Sequence, residues 1–214
     1  MQTFSNYIID QQVYTLVPKK KHLKRLASEE KGVIFSCKAE DAPLTLPPSN
    51  SSEETKLELL ELKNLHLQHP DPAKLEEDYD DKFLWAFKKV CRVNNLEFDG
   101  KLMQKIIREA GHIVIKLKYK FNRPRPFQLA KVYDIDLVRY DSDTAKTPSY
   151  PSGHTIQGRI IAIYLSKLYP EFQEQFEAVS DAISLSRMVG CHHFPSDVAY
   201  GNQIATWLAS NINQ

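Results

Sequence analysis

The chain has little cysteine and no long apolar run, and each absence excludes a class of protein. Its three cysteines, Cys37, Cys91 and Cys191, are odd in number and widely spaced, which does not suit a disulfide framework. We therefore expect reduced thiols in an intracellular protein, and one disulfide with a thiol left over is the alternative. Because no apolar run approaches the roughly 18–20 residues of a membrane-spanning helix, we expect no membrane span.

The chain also lacks an excess of charge of either sign. It carries 28 Lys and Arg against 27 Asp and Glu among 214 residues, so no strong field favours nucleic acid or an anionic membrane as a partner. Its first residues do not resemble a signal peptide, because their basic cluster follows the apolar part. These properties predict a soluble, cytoplasmic chain that is long enough for one sizeable hydrophobic core.

Apolar residues recur at helical spacing through most of the chain. The clearest stripe is formed by Leu102, Ile106, Ala110, Ile113 and Leu117, within residues 101–118. Further helices are predicted from a capping box at Ser51 and Glu54, over 73–93, from Pro151 to Pro170, over 172–187 and from Pro195. Short β-prone runs occur at 13–17, 32–35 and 132–138. The predicted fold is an all-α compact helical bundle, with the functional residues at helix ends and in connecting loops.

The first of three short motifs places Lys118 seven residues before Arg125 and Pro126. Lys118 lies at the predicted end of a helix, where a cation is favoured, and flanking prolines stiffen the backbone of Arg125. A fixed guanidinium fork beside a lysine can clamp a phosphate group. The same spacing fits Lys116 with Arg123, so two registers are open from the residues alone.

The second motif is Pro151-Ser152-Gly153-His154 at the start of a predicted helix. A Ser-Gly pair at a helix start lets backbone N–H groups approach an anion closely, and the Ser152 hydroxyl can add a donor. His154 then lies in the first turn, where it can give a proton to a leaving oxygen. An ordinary helix cap followed by a surface histidine is the alternative interpretation.

The third motif combines Ser186 and Arg187 with His193 and Asp197. Arg187 offers a second guanidinium fork, and residues 193 and 197 share one face if they lie on a helix or a turn entering one. A carboxylate bonded to one imidazole nitrogen raises the basicity of the other, so His193 could act as a nucleophile in phosphoryl transfer. His192 is off by one residue, and a structural histidine–aspartate pair is the alternative.

A metal site is also conceivable near the third motif. Cys191, His192, His193 and Asp197 are all metal-ligand types. Three fixed cations at the same place would repel a metal ion, however, so we predict no metal.

In this order and spacing, the three motifs resemble the signature of the type 2 phosphatidic acid phosphatase superfamily. That superfamily includes class A non-specific acid phosphatases, lipid phosphate phosphatases and vanadium haloperoxidases. Arg-Pro-Phe at 125–127 and Ser-Tyr-Pro-Ser-Gly-His-Thr at 149–155 are most similar to the class A enzymes, and they select the second register of the first motif. The chain fills all eleven signature positions: Lys118, Arg125, Pro126, Pro151, Ser152, Gly153, His154, Ser186, Arg187, His193 and Asp197.

The resemblance implies a role for each of these positions. His193 would be the nucleophile that forms a phosphohistidine, Asp197 its partner, and His154 the general acid that later activates water. The groups implied to hold the phosphate oxygens are Lys118, Arg125, Ser152, Gly153 and Arg187. No metal or other cofactor is implied, because the cations neutralise the charge that develops on the phosphoryl group.

The implied activity is that of a metal-independent phosphatase for small phosphomonoesters or pyrophosphate-type substrates. One alternative is a haloperoxidase that uses vanadate as its cofactor, and others are a non-catalytic phosphate-binding protein and a metallohydrolase. The expected partner is a small phosphorylated substrate rather than nucleic acid, and a homo-oligomer is left open.

The resemblance spans residues 41–210 and does not reach the N-terminal 40 residues. We predict a helical phosphatase domain at 41–214 after a segment 1–40 of uncertain structure, together forming one compact unit. The basic cluster at 19–25 is interpreted as a solvated loop or helix end, with a patch for an anionic partner as the alternative.

Overall fold

Helices form the secondary structure of this computed structural model, which describes residues 4–27, 32–80, 82–138, 140 and 142–213. Single 3₁₀ turns lie at Ala39–Asp41, Asp143–Ala145 and Pro170–Phe172, and no strand occurs within the described ranges. The predicted all-α fold class is therefore confirmed. The helices are α1 Phe4–Asp10, α2 Lys20–Ala27, α3 Glu53–Gln68, α4 Pro72–Tyr79, α5 Phe83–Val93, α6 Gly100–Phe121, α7 Pro126–Ala130, α8 Gly153–Leu168, α9 Gln173–Val189 and α10 Pro195–Ser210.

The prediction of one continuous helix over 73–93 was wrong. The structure has two helices there, and α4 ends at Tyr79 before α5 begins at Phe83. Asp80 follows α4 directly, and its carboxylate accepts hydrogen bonds from Arg187 and from two hydroxyl groups. The hydrogen bonds of Asp80 to distant residues thus interrupt the continuous helix that the apolar spacing favours.

Two local predictions also need correction. Helix α3 is capped by Ser52, whose Oγ accepts from the N–H of Thr55 at 3.1 Å, whereas the Ser51 hydroxyl donates to Asp10 at 2.9 Å. The three β-prone runs form no strand, and an isolated antiparallel bridge joins Phe35 to Ile212. An isolated bridge cannot propagate, because the neighbouring residues of 32–35 have other hydrogen-bond partners.

Helix α8 lies at the centre of the bundle, packed against both α9 and α10. At Gly158 the contact with α9 is so close that an added Cβ would lie 2.9 Å from Cδ1 of Ile183. Helix α6 contributes the buried stripe that its periodicity predicts, including Ile106, Ala110 and Leu117. None of the helices in the described ranges has the length and apolar character needed to cross a lipid bilayer.

The described part of the N-terminal segment packs along α6. The Glu109 carboxylate accepts hydrogen bonds from the backbone N–H groups of Val33, Ile34 and Phe35, at 2.8–3.1 Å. Helix α2 contacts α6 further along, where an added Cβ on Gly111 would lie 3.2 Å from the Arg25 guanidinium. One helix therefore carries both the N-terminal segment and, at its C-terminal end, Lys118.

We expect the Phe87→Ala substitution to lower the free energy of unfolding by about 3–5 kcal/mol, because it empties a fully buried position of the core. Trp85→Ala on the same helix is the matched control, since that side chain is 60% exposed, and its loss should be much smaller. Urea denaturation followed by circular dichroism measures both. Equal losses would contradict the described packing of α5.

Candidate active site

The C-terminal end of α6 brings Lys118 and Arg125 into the interior. Lys118 is buried, and its Nζ donates to the carbonyl oxygens of Pro148 and Ser149 at 2.8 and 3.0 Å. The helix ends with Asn122 in the left-handed conformation (φ 49°), and its N–H donates to the Lys118 carbonyl at 2.8 Å. Asparagine tolerates this conformation better than most residues, so the chain can reverse and place Arg125 beside the same interior.

Arg125 fixes the protonation of His193. Its guanidinium donates to the carbonyl oxygens of Thr147 and His192, each at 2.8 Å, and its Nη1 lies 3.0 Å from Nε2 of His193. A guanidinium group has no acceptor, so Nε2 of His193 must accept this hydrogen bond. The imidazole proton therefore lies on Nδ1, and the lone pair of Nε2 faces the cations.

The buried carboxylate of Asp197 holds the other side of His193. Its Oδ2 accepts from Nδ1 of His193 at 3.2 Å, from the N–H of Phe194 at 2.9 Å and from the Ser149 hydroxyl. Its Oδ1 accepts from Arg123 at 2.7 Å. Burial, together with the charges of the nearby cations, lowers the pKa of His193 well below its usual value. His193 is therefore a neutral imidazole with an oriented Nε2 lone pair.

The start of α8 supplies backbone N–H groups to the same region. Ser152 caps the helix, and its own N–H donates to the carbonyl oxygen of Asp197 at 3.0 Å. Gly153 is the first helical residue, and an added Cβ there would lie 3.7 Å from Cε of Lys118. The helix start therefore lies against the lysine, where unpaired N–H groups favour an anion.

His154, in the first turn of α8, lies beside Asp80. Its Nε2 is 2.8 Å from the carbonyl oxygen of Asp80 and 3.5 Å from the Asp80 carboxylate. Burial and the charge of Arg187 lower the pKa of His154 to about 3, although the Asp80 carboxylate opposes this shift. The imidazole is therefore neutral near pH 7 in this arrangement, and a nearby anion favours its proton.

Asp80 is a residue that the sequence analysis missed. Its carboxylate accepts from Nη1 of Arg187 at 2.8 Å, from the Ser142 hydroxyl at 2.8 Å and from the Thr144 hydroxyl at 2.6 Å. Burial alone would raise its pKa, but Arg187 and these hydroxyls outweigh it, and the pKa of Asp80 falls below the usual value. The carboxylate thus remains charged and occupies Arg187 near neutral pH.

Two further buried pairs support the site and were also missed. Arg123, which belongs to the alternative register of the first motif, bridges Asp197 and Glu58 at 2.7 and 3.0 Å. Nε2 of His192 lies 2.5 Å from a carboxylate oxygen of Glu76. Glu58 lies on α3 and Glu76 lies on α4. Both residues are far from the three motifs in the sequence, so no motif spacing indicates them.

The structure brings the predicted residues of all three motifs together. One hydrogen-bond network contains Arg125, His193 and Asp197, and a second contains Arg187, Asp80 and His154. The pKa of Lys118 is lowered, first by burial and then by the charges of Arg125 and Arg187, so the cations are close enough to interact. Within the described ranges, no three His, Cys, Asp or Glu side chains are grouped so that they could hold a metal ion.

The arrangement places donors for an oxyanion beside an imidazole. Buried cations and a helix N-terminus surround a neutral imidazole whose lone pair is oriented by a carboxylate.

The sequence of residues 105–212, half of the chain, matches the PAP2 superfamily. The protein therefore belongs to the PAP2 superfamily, and the predicted family is confirmed.

A relative of this chain is the non-specific acid phosphatase of Providencia stuartii. It is 31% identical to this chain over 114 residues, which are 53% of the chain and 46% of the relative. The chain thus spans about half the length of the relative that it matches.

We expect Asp80→Asn to tighten the binding of inorganic phosphate by about tenfold, because the neutral amide no longer competes with the anion for Arg187. Isothermal titration calorimetry at pH 7 measures the dissociation constant. Asp78→Asn, an exposed carboxylate of α4, is the matched control and should change binding little. Weaker binding in Asp80→Asn would contradict the prediction and show that the carboxylate supports the site by holding Arg187 in place.

Proposed function

We propose that this protein is a metal-independent phosphatase that hydrolyses small phosphomonoesters or pyrophosphate-type substrates through a phosphohistidine. The observation that carries the proposal is the position of His193 between Asp197 and Arg125. The carboxylate holds the Nδ1 proton, and the guanidinium lies beside the Nε2 lone pair. A phosphate that takes the Arg125 N–H for its own oxygen would free this lone pair to attack phosphorus.

In the first step, Nε2 of His193 attacks phosphorus and the bond to the leaving oxygen breaks. His154 gives its proton to that oxygen, so the alcohol leaves in neutral form. Negative charge on the three remaining phosphoryl oxygens is stabilised by Lys118, Arg125 and Arg187, assisted by the hydroxyl of Ser152 and the N–H of Gly153. Asp197 stabilises the positive charge that the imidazole of His193 acquires.

In the second step, water attacks the phosphohistidine. His154, now neutral, accepts a proton from the water, the P–N bond breaks, and its electron pair returns to Nε2 of His193. The products are inorganic phosphate and the starting protein, so protons and electrons balance over the cycle. The cations stabilise the negative charge of the phosphoryl group, and no metal or other cofactor takes part in these steps.

The relative in the superfamily makes the phosphatase proposal preferable to its alternatives. That relative is described as a non-specific acid phosphatase. A vanadate-dependent haloperoxidase would need the same cations to hold vanadate permanently, and a phosphate-binding protein would need no proton donor at His154. A haloperoxidase would oxidise halide with vanadate and peroxide, and a phosphate-binding protein would bind phosphate tightly without hydrolysis.

The pKa shifts predict an acidic optimum. His193 must be neutral, and its lowered pKa keeps it neutral well below pH 6.5. His154 must carry a proton, and its pKa of about 3 in the free protein means that this form becomes scarcer as pH rises. The value of kcat/KM should therefore increase as pH falls from 8 towards 5, and the profile is bell-shaped where His193 begins to protonate.

We expect hydrolysis of p-nitrophenyl phosphate between pH 4 and 8 that survives EDTA, is inhibited by orthovanadate and is faster at the acidic end. Release of nitrophenol measures it. Loss of turnover in EDTA would contradict a mechanism without metal. Halide oxidation that requires vanadate and peroxide, without phosphatase turnover, would favour the haloperoxidase instead.

We expect His193→Ala to abolish turnover, because no nucleophile remains to form the phosphohistidine. His154→Ala should slow an alkyl phosphate at least tenfold more than p-nitrophenyl phosphate, because nitrophenolate leaves without a proton. Steady-state kinetics with both substrates measure the contrast. Wild-type rates in His193→Ala, or equal losses for both substrates in His154→Ala, would refute the assigned roles.

A further inference from the structure

Helix α3 carries leucines on two opposite faces. Leu59 and Leu62 are fully buried on the face that packs onto the bundle, where α3 contacts α9. Leu57, Leu60 and Leu67 lie on the opposite face and are between 39% and 69% exposed. A helix at the surface of a bundle ordinarily buries one apolar stripe and exposes a polar face. The second stripe of α3 is therefore an apolar surface that the described part of the chain leaves uncovered.

The exposed stripe has the spacing of a coiled-coil seam. Its members are separated by three, four and three residues, which puts them at successive a and d positions of a heptad repeat. They are Leu57, Leu60, Asn64 and Leu67, and all four are exposed. Asn64 falls at an a position, where a single asparagine specifies the register and the number of helices at a cost in stability. The stripe thus combines apolar surface with a specificity element of two-helix contacts.

The charges beside the stripe complement those of a parallel second copy. Lys56 and Lys63 lie on one side of the leucines, at g positions. Glu54 and Glu61 lie on the other side, at e positions. In a parallel pair, g faces e of the following heptad, so Lys56 would meet Glu61 of the partner subunit on both sides of the seam. Within the described residues, none of these four side chains is already held in an ion pair.

We propose that α3 is a homodimer interface, in which the stripe packs in parallel against the same stripe of a second copy about a two-fold axis. Such a contact is isologous, because one surface patch faces itself. The two flanks of the stripe carry opposite charges that match each other, so a second copy supplies the complementary surface by itself. The interface uses none of the groups of the candidate active site, and the inference is therefore independent of the proposed function.

The bundle removes the main cost of such a short contact. An isolated helix of 16 residues is marginal in water. In this protein α3 is already held in place, because Ser52 caps it and Glu58 on its inner face binds Arg123. Association has to order only the exposed side chains along about 24 Å of helix. Because this interface is small, we expect a reversible dimer with a dissociation constant in the micromolar range.

Sedimentation velocity from about 1 to about 100 µM protein measures the self-association. We expect a monomer–dimer equilibrium for the wild-type protein. Leu57→Glu puts like charges into the seam and should weaken the dimer at least tenfold. Leu168→Glu on α8 is the matched control, because the two leucines are similarly exposed, at 53% for Leu168 and 56% for Leu57. The control should change the dissociation constant less than twofold.

The flanking charges test the direction of pairing. Lys56→Glu and Glu61→Lys should each weaken self-association about fivefold, because each puts like charges at both g–e contacts. An equimolar mixture of the two variants should recover the wild-type dissociation constant, since each contact then joins opposite charges. In an antiparallel pair, g faces g, so Lys56→Glu would strengthen the dimer and refute the parallel arrangement.

Circular dichroism shows whether each variant is folded, and no phosphatase assay enters the test. A wild-type chain that stays monomeric at the highest concentration would overturn the inference. A dimer that Leu57→Glu weakens no more than Leu168→Glu does would also overturn it, because another surface would then be responsible. Binding of a monomeric wild-type chain to vesicles of anionic lipid, lost in Leu57→Glu, would assign the stripe to a lipid surface and overturn self-association.

Discussion

The buried carboxylate of Asp197 is the interaction on which the rest of the site depends. Its four partners come from three different helix ends: Arg123 follows α6, Ser149 precedes α8, and His193 and Phe194 precede α10. A carboxylate that is buried away from water is stable only when several donors form hydrogen bonds with it. The contacts that make its burial acceptable therefore also join the three helices at their ends and hold His193, so the packing and the protonation of this histidine are set together.

The same burial concentrates positive charge. Lys118, Arg125 and Arg187 are each at most 5% exposed, and their mutual repulsion is not screened by solvent. Much of that charge is directed at carbonyl oxygens, whereas Arg187 is partly neutralised by Asp80. The site is thus preorganised for an anion before one arrives, and such preorganisation is the main source of electrostatic stabilisation in phosphoryl transfer.

Periodicity predicted α3, α6, α8, α9 and α10, because the pattern of each helix depends on residues close in the chain. The eleven signature positions came from the resemblance of three short motifs to the superfamily. His193 and Asp197 are four apart, and the α6 stripe is a repeat of three and four. The role of Asp80 could not be predicted, because its partner Arg187 is 107 residues away in the sequence. In addition, the apolar spacing around Asp80 favours a continuous helix, which the structure interrupts at this residue. Glu58 likewise contacts Arg123 at a sequence separation of 65 residues. The packing of α2 on α6 also joins distant parts of the chain, so no short sequence pattern indicates it.

The glycine at position 111 sets how closely the N-terminal segment can approach the helical bundle. An added Cβ there would lie 3.2 Å from the Arg25 guanidinium, so α2 and α6 meet at a residue without a side chain. A larger residue would require α2 to shift away from α6, and α2 carries residues that line the same cavity as Lys118. One position, two turns before Lys118 on the same helix, therefore links the packing of the N-terminal segment to the shape of this cavity.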